Sequence, residues 1–149
     1  MRIVLILFMA LFLFAEDLKI TSKYFHYDPK KQESVFKEDV NATKGSDNIL
    51  ANELIVYFDK KRKPEKFIAT GNVRFIISLD KNATYKGRCN KLVYTLYNGN
   101  IILLGNAKIV KLQTKESVKG NKIILNRITK EAEVTGNKKP IEIILKVNE

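Results

Sequence analysis

The sequence predicts an all-β domain of stacked antiparallel hairpins, and three observations support this fold class. Short runs of Val, Ile, Tyr, Phe and Thr alternate with clusters of Gly, Asn, Asp and Lys, which is typical of strands and turns. Beyond residue 15, no stretch shows convincing helical periodicity. A Gly-Asn pair recurs at Gly71-Asn72, Gly105-Asn106 and Gly136-Asn137. The three pairs are 34 and 31 residues apart, and a repeat of this length indicates stacked supersecondary units rather than isolated turns.

The first fifteen residues, MRIVLILFMALFLFA, predict a secretory signal peptide. Arg2 supplies the charged start, and the apolar run from Ile3 to Ala15 would span about 20 Å as a helix, short of a bilayer core of roughly 30 Å. We expect cleavage after Ala15, which leaves one exported domain over residues 16–149. The alternative is an uncleaved short anchor, and in both cases the rest of the chain is exported.

Composition points to an anionic partner. The 149 residues carry 27 Lys and Arg against 16 Asp and Glu, a net charge of +11. Removing Arg2 leaves 26 against 16, so the exported domain keeps a charge of +10. Nucleic acid, an anionic membrane and an anionic lipid or glycan would all suit this charge, and export disfavours nucleic acid. Cys89 is the only cysteine, so packing and strand pairing must stabilise the domain without an internal disulfide.

Four hairpins follow when the chain is aligned on the repeated pair. The predicted units are Ser22–Ala42, Asn52–Ile76, Asn90–Val110 and Asn121–Ile141. In the first unit Glu38-Asp39 stands in place of Gly-Asn, which gives marker spacings of 33, 34 and 31 residues. Asn98-Gly99 predicts a tight turn in the third unit, because both residues tolerate positive φ. A single hairpin cannot bury its apolar face, so the units are expected to stack, with Gly relaxing the backbone where a strand bends or bulges.

Period-2 alternation predicts which side chains face the interior. In KFIATGNVRFIIS, Phe67 and Phe75 fall on one face and Arg74 on the other, while Ile68 and Ile76 are apolar exceptions on the outer face. The predicted inward residues are Tyr24, Leu54, Val56, Phe67, Phe75, Leu92, Tyr94, Leu96, Ile109, Ile123 and Leu125.

The sequence predicts no catalytic residue, metal site or cofactor. His26 is the single histidine and has no nucleophile context, and no Gly-rich phosphate loop occurs. Two Asp-x-Asn-x-Thr segments make Asn41 and Asn82 candidate glycosylation sites in an exported chain. The alternative for both segments is a plain Asn-rich turn.

The hairpin repeats with ATGNV and LLGNA, the KGNKI that opens the last unit and the export segment together resemble the LptA, OstA-like family of periplasmic lipopolysaccharide transport proteins. The resemblance covers Leu18–Lys146. It implies a twisted OstA-like β-jellyroll, open at both ends, whose apolar interior holds lipopolysaccharide acyl chains. It also implies LptC-like inner-membrane and LptD-like outer-membrane partners, and head-to-tail oligomers formed by strand addition.

The resemblance places family groove positions at Leu18, Ile20, Phe75, Tyr94 and Leu96, of which Phe75 requires a one-residue shift. Together with the alternation, the predicted lipid groove comprises Leu18, Ile20, Leu54, Val56, Phe75, Leu92, Tyr94, Leu96 and Ile109. Basic residues are further candidates for attracting lipid A phosphates near the groove mouth: Lys19, Lys23, Arg74, Lys108 and Lys111.

Two other functions compete with a lipid carrier. An OstA-like assembly module would bind neighbouring proteins and no lipid. A secreted β-solenoid enzyme acting on acidic polysaccharide would need charged side chains aligned on one exposed face across successive repeats. The repeats align apolar residues and place charges in the turns, which disfavours the enzyme.

Overall fold

The computed structural model describes residues 17–147, so the predicted signal peptide lies outside the described part. These residues form ten strands in one antiparallel sheet, which confirms the all-β fold class. Within residues 17–147 no helix is long and apolar enough to cross a membrane. The strands are β1 (Leu18–Thr21), β2 (Tyr24–Asp28), β3 (Glu33–Lys44), β4 (Asp47–Phe58), β5 (Pro64–Asp80), β6 (Ala83–Thr95), β7 (Asn100–Lys111), β8 (Ser117–Asn126), β9 (Ala132–Thr135) and β10 (Glu142–Ile144).

Each strand from β3 to β8 pairs with the next one along the chain. The four predicted hairpins are present as β2–β3, β4–β5, β6–β7 and β8–β9. Strands β1 and β2 both pair with β3, and β9 and β10 both pair with β8. The sheet therefore begins and ends on short strands and does not close into a barrel.

Mid-strand irregularities divide the sheet into two leaves. The register shifts lie between Lys37 and Val40 in β3, between Thr70 and Val73 in β5 and between Leu104 and Ala107 in β7. The first leaf runs from β2 through the turn-proximal halves of the hairpins to β9. The second leaf runs from β1 through the other halves of β3–β8 to β10. Because bulges bend and twist strands, the two leaves fold toward each other along this line.

The repeated pair builds these bends. Gly71 and Asn72 have φ angles of 83° and 49°, and Gly105 and Asn106 have nearly the same values, 81° and 47°. Glu38 and Asp39 also have positive φ, 66° and 52°, so the first unit keeps the same backbone geometry without glycine. The pair Gly136-Asn137 differs, because it follows the end of β9 and Gly136 is not among the residues with positive φ. The fourth marker ends a strand instead of bending one.

The Asn98-Gly99 turn is located as predicted, but its geometry is not the predicted one. Residues 96–99 form a four-residue loop, and only Gly99 has positive φ, 75°. The Gly99 amide donates to the Thr95 carbonyl at 3.1 Å, and the Asn98 side chain accepts from the Asn100 amide at 3.0 Å. Asn98 therefore acts through its side chain, which stabilises the turn without left-handed backbone at that position.

The core lies between the leaves and continues from β3 to β8. Its buried apolar side chains come from both leaves and contact one another as one cluster: Val40, Ala42, Ala51, Leu54, Val56, Phe58, Phe67, Ala69, Val73, Phe75, Ile77, Cys89, Leu92, Ile101, Leu103, Ala107, Ile109, Ile123 and Leu125. The alternation in β5 is thus confirmed on both sides of its bulge. At about 25 cal/mol per Å² of apolar surface, burial of this cluster is the main stabilising contribution to the fold.

Candidate functional site

The predicted groove residues all lie between the two leaves. Five of the nine belong to the buried cluster: Leu54, Val56, Phe75, Leu92 and Ile109. The other four are partly buried and pack against it: Leu18, Ile20, Tyr94 and Leu96. Phe75, the position that needed a shift in the alignment, is 2% exposed. The structure therefore brings the predicted set into one interior that extends from β1 to β7.

One predicted inward residue is wrong. Tyr24 is 48% exposed and lies on β2, where Lys37 is positioned 5.7 Å above its ring. Tyr24 lies opposite Lys37 on β3, and Lys37 lies opposite Glu53 on β4, so Tyr24 faces outward in a polar cross-strand row. The inward position on β2 is its neighbour Phe25, which lies opposite Phe36. The remaining inward predictions outside the groove set, Phe67, Ile123 and Leu125, are buried.

The leaves are joined at the bends and face each other across a mouth on the opposite side, where the turns of each leaf meet. A small cavity lies just inside this mouth, near β1. Both leaves line it, through Leu18, Ala42, Lys44, Asp47, Ile49, Leu54, Phe67, Ile77, Tyr94 and Arg127. Its free volume is about 50 Å³, room for only a few water molecules at about 10–15 Å³ each. In this conformation the interior is packed, so long apolar ligands would require the leaves to separate.

A clasp spans the mouth beside this cavity. We use this name for Asp47, Ser78, Tyr94 and Arg127. The Arg127 guanidinium donates to the Asp47 carboxylate at 2.6 Å and to the Ser78 carbonyl at 3.1 Å, and it lies 5.7 Å from the centre of the Tyr94 ring. Arg127 follows β8 in the first leaf, whereas Asp47 and Ser78 belong to the second leaf. The clasp therefore connects the two leaves directly.

The electrostatics of the clasp favour its charged form. Partial burial opposes the charge on Arg127, but the hydrogen bond and attraction of Asp47, aided by Tyr94, outweigh this effect and raise the guanidinium pKa. Burial also raises the pKa of the Tyr94 hydroxyl, partly offset by the nearby Arg127 charge. Asp47 and Arg127 were not predicted from sequence, because 80 residues separate them and no local pattern links them.

The other sequence candidates are dispersed. His26 is exposed on β2, and no group of three His, Cys, Asp or Glu residues able to hold a metal occurs among residues 17–147. Asn82 lies in the exposed turn between β5 and β6, where its amide donates to Asp80 at 2.8 Å. Asn41 lies inside β3, and its side-chain oxygen accepts from Asn48 at 2.7 Å. The turn interpretation thus fits Asn82 and does not fit Asn41.

The candidate phosphate-attracting cations do not form one group at the mouth. Lys23 pairs with Asp39 at 3.2 Å, and both side chains are well exposed. Arg74 and Lys108 lie at outward positions of the second leaf, on the far side of the sheet from the apolar interior. Lys111 ends β7, and Lys19 is exposed on β1.

The site is an apolar interior between the two leaves of an open antiparallel sheet, an architecture that suits a carrier or binding protein for apolar molecules. Residues 19–131 match the model of the family described as LptA/(LptD N-terminal domain) LPS transport protein. The chain belongs to this family, which confirms the resemblance seen in the sequence.

Individual relatives agree with this assignment. The lipopolysaccharide export system protein LptA of Haemophilus influenzae is 29% identical over 127 residues, covering 83% of this chain and 73% of the relative. A crystal structure of LptH from Pseudomonas aeruginosa, described as the LptA-homologous periplasmic component of the lipopolysaccharide transport device, superimposes with a TM-score of 0.77. That match covers 89% of this chain and 96% of the other at 16% identity, so it supports the fold.

Proposed function

We propose that this protein carries lipopolysaccharide through the periplasm, with the acyl chains between the two leaves and the phosphorylated sugars outside the mouth. The observation that carries the proposal is the continuous apolar interior of an unclosed sheet in a chain of this family. The relative from Haemophilus influenzae is named as a lipopolysaccharide export system protein, which supports the proposal.

A groove of this kind would shield the acyl chains from water without any chemical reaction. Each CH₂ group that moves from water to an apolar site gains about 0.8 kcal/mol, so several long acyl chains cannot cross water unshielded. The apolar side chains of the interior would give the acyl chains the apolar environment that the bilayer gives them in a membrane. Such a carrier needs no nucleotide site of its own, and energy would come from an inner-membrane ATPase.

Loading requires the leaves to open at the mouth. The bends at Gly71-Asn72 and Gly105-Asn106 form one hinge line, and the clasp lies at the opposite side. Opening would therefore break the Asp47–Arg127 pair while the hinge side of the core stays packed. The acyl chains of the ligand would then contact the interior side chains and replace the contacts that these side chains make across the two leaves.

The finer part of the proposal is a bridge between membranes. The edges of the sheet carry exposed apolar side chains, at Tyr24 and Phe25 on β2 and at Ile143 and Ile144 on β10. Exposed edge strands are sites of strand addition, so copies of this chain could join head to tail and extend the groove. An LptC-like protein at the inner membrane and an LptD-like protein at the outer membrane would bind the two ends in the same way.

Modification of Asn82 is a separate, smaller proposal. Its position in an exposed turn suits an acceptor better than that of Asn41, whose amide oxygen is already hydrogen-bonded inside a strand. The mass of the exported protein tests this: a glycan removed by Asn82→Gln and kept in Asn41→Gln supports it. An unmodified wild-type mass in cells that possess such a glycosylation system rejects it.

Photo-crosslinking in cells tests the carrier function directly. A crosslinking amino acid at Tyr94, Leu96 or Phe75 should trap lipopolysaccharide on illumination, because these side chains face the interior. The matched controls are Val93 and Thr95, which flank Tyr94 on the same strand and face outward. Folded, exported protein that gives no adduct at the three interior positions would reject the carrier.

The assembly-module hypothesis remains the second candidate, because the packed interior leaves a free cavity of only about 50 Å³, too small for acyl chains in this conformation. It predicts binding to Lpt-like proteins with no lipid adduct in the same experiment. Arg74, Arg88 and Lys108 do align on one outer face, which the polysaccharide-enzyme hypothesis would require, but no carboxylate lies in their cross-strand row from β4 to β8 to serve as a catalytic acid or base.

A further inference from the structure

The outer face of the second leaf carries a row of cations that the carrier function does not use. We call Arg74, Lys86, Arg88, Lys108 and Lys119 the basic strip. Arg74 pairs with Arg88, Arg88 with Lys108, and Lys108 with Lys119, so four cations lie directly opposite one another on the adjacent strands β5, β6, β7 and β8. Lys86 lies two residues before Arg88 and faces the same side.

Among residues 17–147, an acidic residue faces this strip at one end only. The residues that lie opposite the strip cations on neighbouring strands include no acidic residue from β4 to β8. The first acidic residue in line with them is Glu142 on β10, opposite Lys119. No ion pair involving the strip forms within residues 17–147, and Arg74 makes only a long contact of 3.5 Å with the Asn72 carbonyl. Like charges directly opposite one another destabilise a sheet. An external anion would relieve that repulsion.

The surroundings of the strip indicate which anion. Four of the five cations, all except Lys119, line a shallow depression of about 530 Å³ together with the partly buried apolar side chains of Leu50, Ile76 and Val110. Four strands at a spacing of about 4.8 Å make the strip roughly 14 Å wide, broader than a single phosphate. Interleaved cations and apolar side chains over such a width suit the interface of an anionic bilayer, where each Lys or Arg gains attraction from lipid phosphates.

We propose that the basic strip docks the second leaf onto the surface of an anionic phospholipid membrane. Leu50, Ile76 and Val110 would rest against the head-group region while the cations bind lipid phosphates. Because the strip lies on the far side of the sheet from the apolar interior, docking leaves the interior and its mouth free.

Vesicle co-sedimentation of the full exported chain tests this proposal. The wild-type protein should bind vesicles that contain phosphatidylglycerol and should not bind pure phosphatidylcholine vesicles. The triple variant Arg74→Gln, Arg88→Gln, Lys108→Gln should lose at least about tenfold in affinity. The matched control Lys60→Gln, Lys61→Gln, Arg62→Gln removes the same charge from the exposed β4–β5 turn and should keep most of the affinity.

Three results would overturn the proposal. They are equal losses in both triple variants, binding to phosphatidylcholine alone, and full competition by inorganic phosphate, which would indicate a discrete anion site. Thermal unfolding checks the fold, and relief of like-charge repulsion should leave the strip variant at least as stable as the wild type. If that variant does not fold, Arg88→Gln alone, with its salt dependence, provides the test.

Crosslinking of lipopolysaccharide at Tyr94 should be unchanged in purified strip variant loaded in solution. This separates failure of membrane docking from failure of the carrier function.

Discussion

At the scale of single residues, the bends in β3 and β5 share a left-handed backbone conformation but place different residue types in it. Gly71 in β5 has φ 83°, and a Cβ there would lie 2.6 Å from the Asn52 side-chain nitrogen. Glu38 in β3 has φ 66° with its Cβ present. Left-handed backbone costs a residue with a Cβ roughly 1–2 kcal/mol, whereas glycine adopts it freely. Glu38 is therefore strained where Gly71 is not.

This difference predicts opposite effects from exchanging the two residue types. Gly71→Ala should lower the free energy of unfolding by roughly 1–3 kcal/mol, since it adds both strain and a clash with Asn52. Glu38→Gly should raise it by about 0.5–1 kcal/mol, because strain relief exceeds the extra entropy of glycine in the unfolded chain. Urea unfolding measures both. Equal effects of the two substitutions would show that the bends do not govern stability.

Cys89 provides a pH-dependent test of core packing. Burial raises the pKa of its thiol to about 11, and hydrogen bonds from the backbone of Leu104 and Lys91 only partly oppose this. A pKa raised by folding gives stability that is complete below the unfolded value near 9 and is lost as pH rises toward 11. The stability of wild type relative to Cys89→Ala should thus fall by about 2–3 kcal/mol over that window. Parallel unfolding profiles of the two proteins from pH 8 to pH 11 would contradict it.

At the scale of the elements, the clasp is the contact that closes the mouth. The side chains of Asp47 and Arg127 are 21% and 27% exposed, which makes their pair far less solvated than Lys23 and Asp39, at 69% and 79%. Removing one partner of a fully buried pair costs about 3–5 kcal/mol, and exposed pairs contribute about 0–1 kcal/mol. The clasp should lie between these limits.

Asp47→Asn should therefore destabilise the fold by roughly 1–3 kcal/mol and increase amide hydrogen exchange in the β8–β9 loop. The matched control is Asp39→Asn, which breaks the exposed pair at a position where Asn tolerates positive φ, and which should change stability by less than about 0.5 kcal/mol. Unchanged exchange in Asp47→Asn would mean that the clasp does not hold the leaves together.

The sequence was sufficient to predict the elements but not their long-range contacts. Period-2 alternation placed Phe67 and Phe75 correctly on either side of the bulge, because burial selects the face of each strand. Ile68, an apolar exception on the outer face, lies opposite Ile55 and Val93, where β-branched cross-strand pairs stabilise the first leaf. That explanation needs the register of neighbouring strands, which alternation within one strand does not specify.

Other features depended on information that no local pattern carries. The outward position of Tyr24 follows from its register with Lys37 on β3, and the clasp follows from the way the leaves fold together. The basic strip likewise appears only when four strands are aligned in register. Asn52 and Asn90 are an exception, because each begins a unit predicted from sequence and lies against the glycine of a bend, so their recurrence in the repeats was a visible signal.

At the scale of the whole molecule, the two leaves end in short, exposed strands. Each leaf has eight strand segments, and seven spacings of about 4.8 Å give a length of roughly 34 Å. A bridge across a periplasm would thus need several copies or partner domains in line. The apolar side chains at the C-terminal edge are well placed for that contact, since Ile143 and Ile144 are 49% and 48% exposed.

Head-to-tail assembly through this edge predicts that a single edge lysine will weaken it. Ile143→Lys places a charge on β10, where edge lysines oppose strand addition, so sedimentation velocity should show a loss of concentration-dependent oligomers. The control is Tyr97→Lys, which alters a 79% exposed side chain in the β6–β7 loop, away from both edges. Assembly through the edges requires wild type and control to behave alike and Ile143→Lys to remain monomeric at concentrations where they associate. Equal weakening by both lysines would instead place the contact on the turns, and the interior of one copy would then not continue into the next.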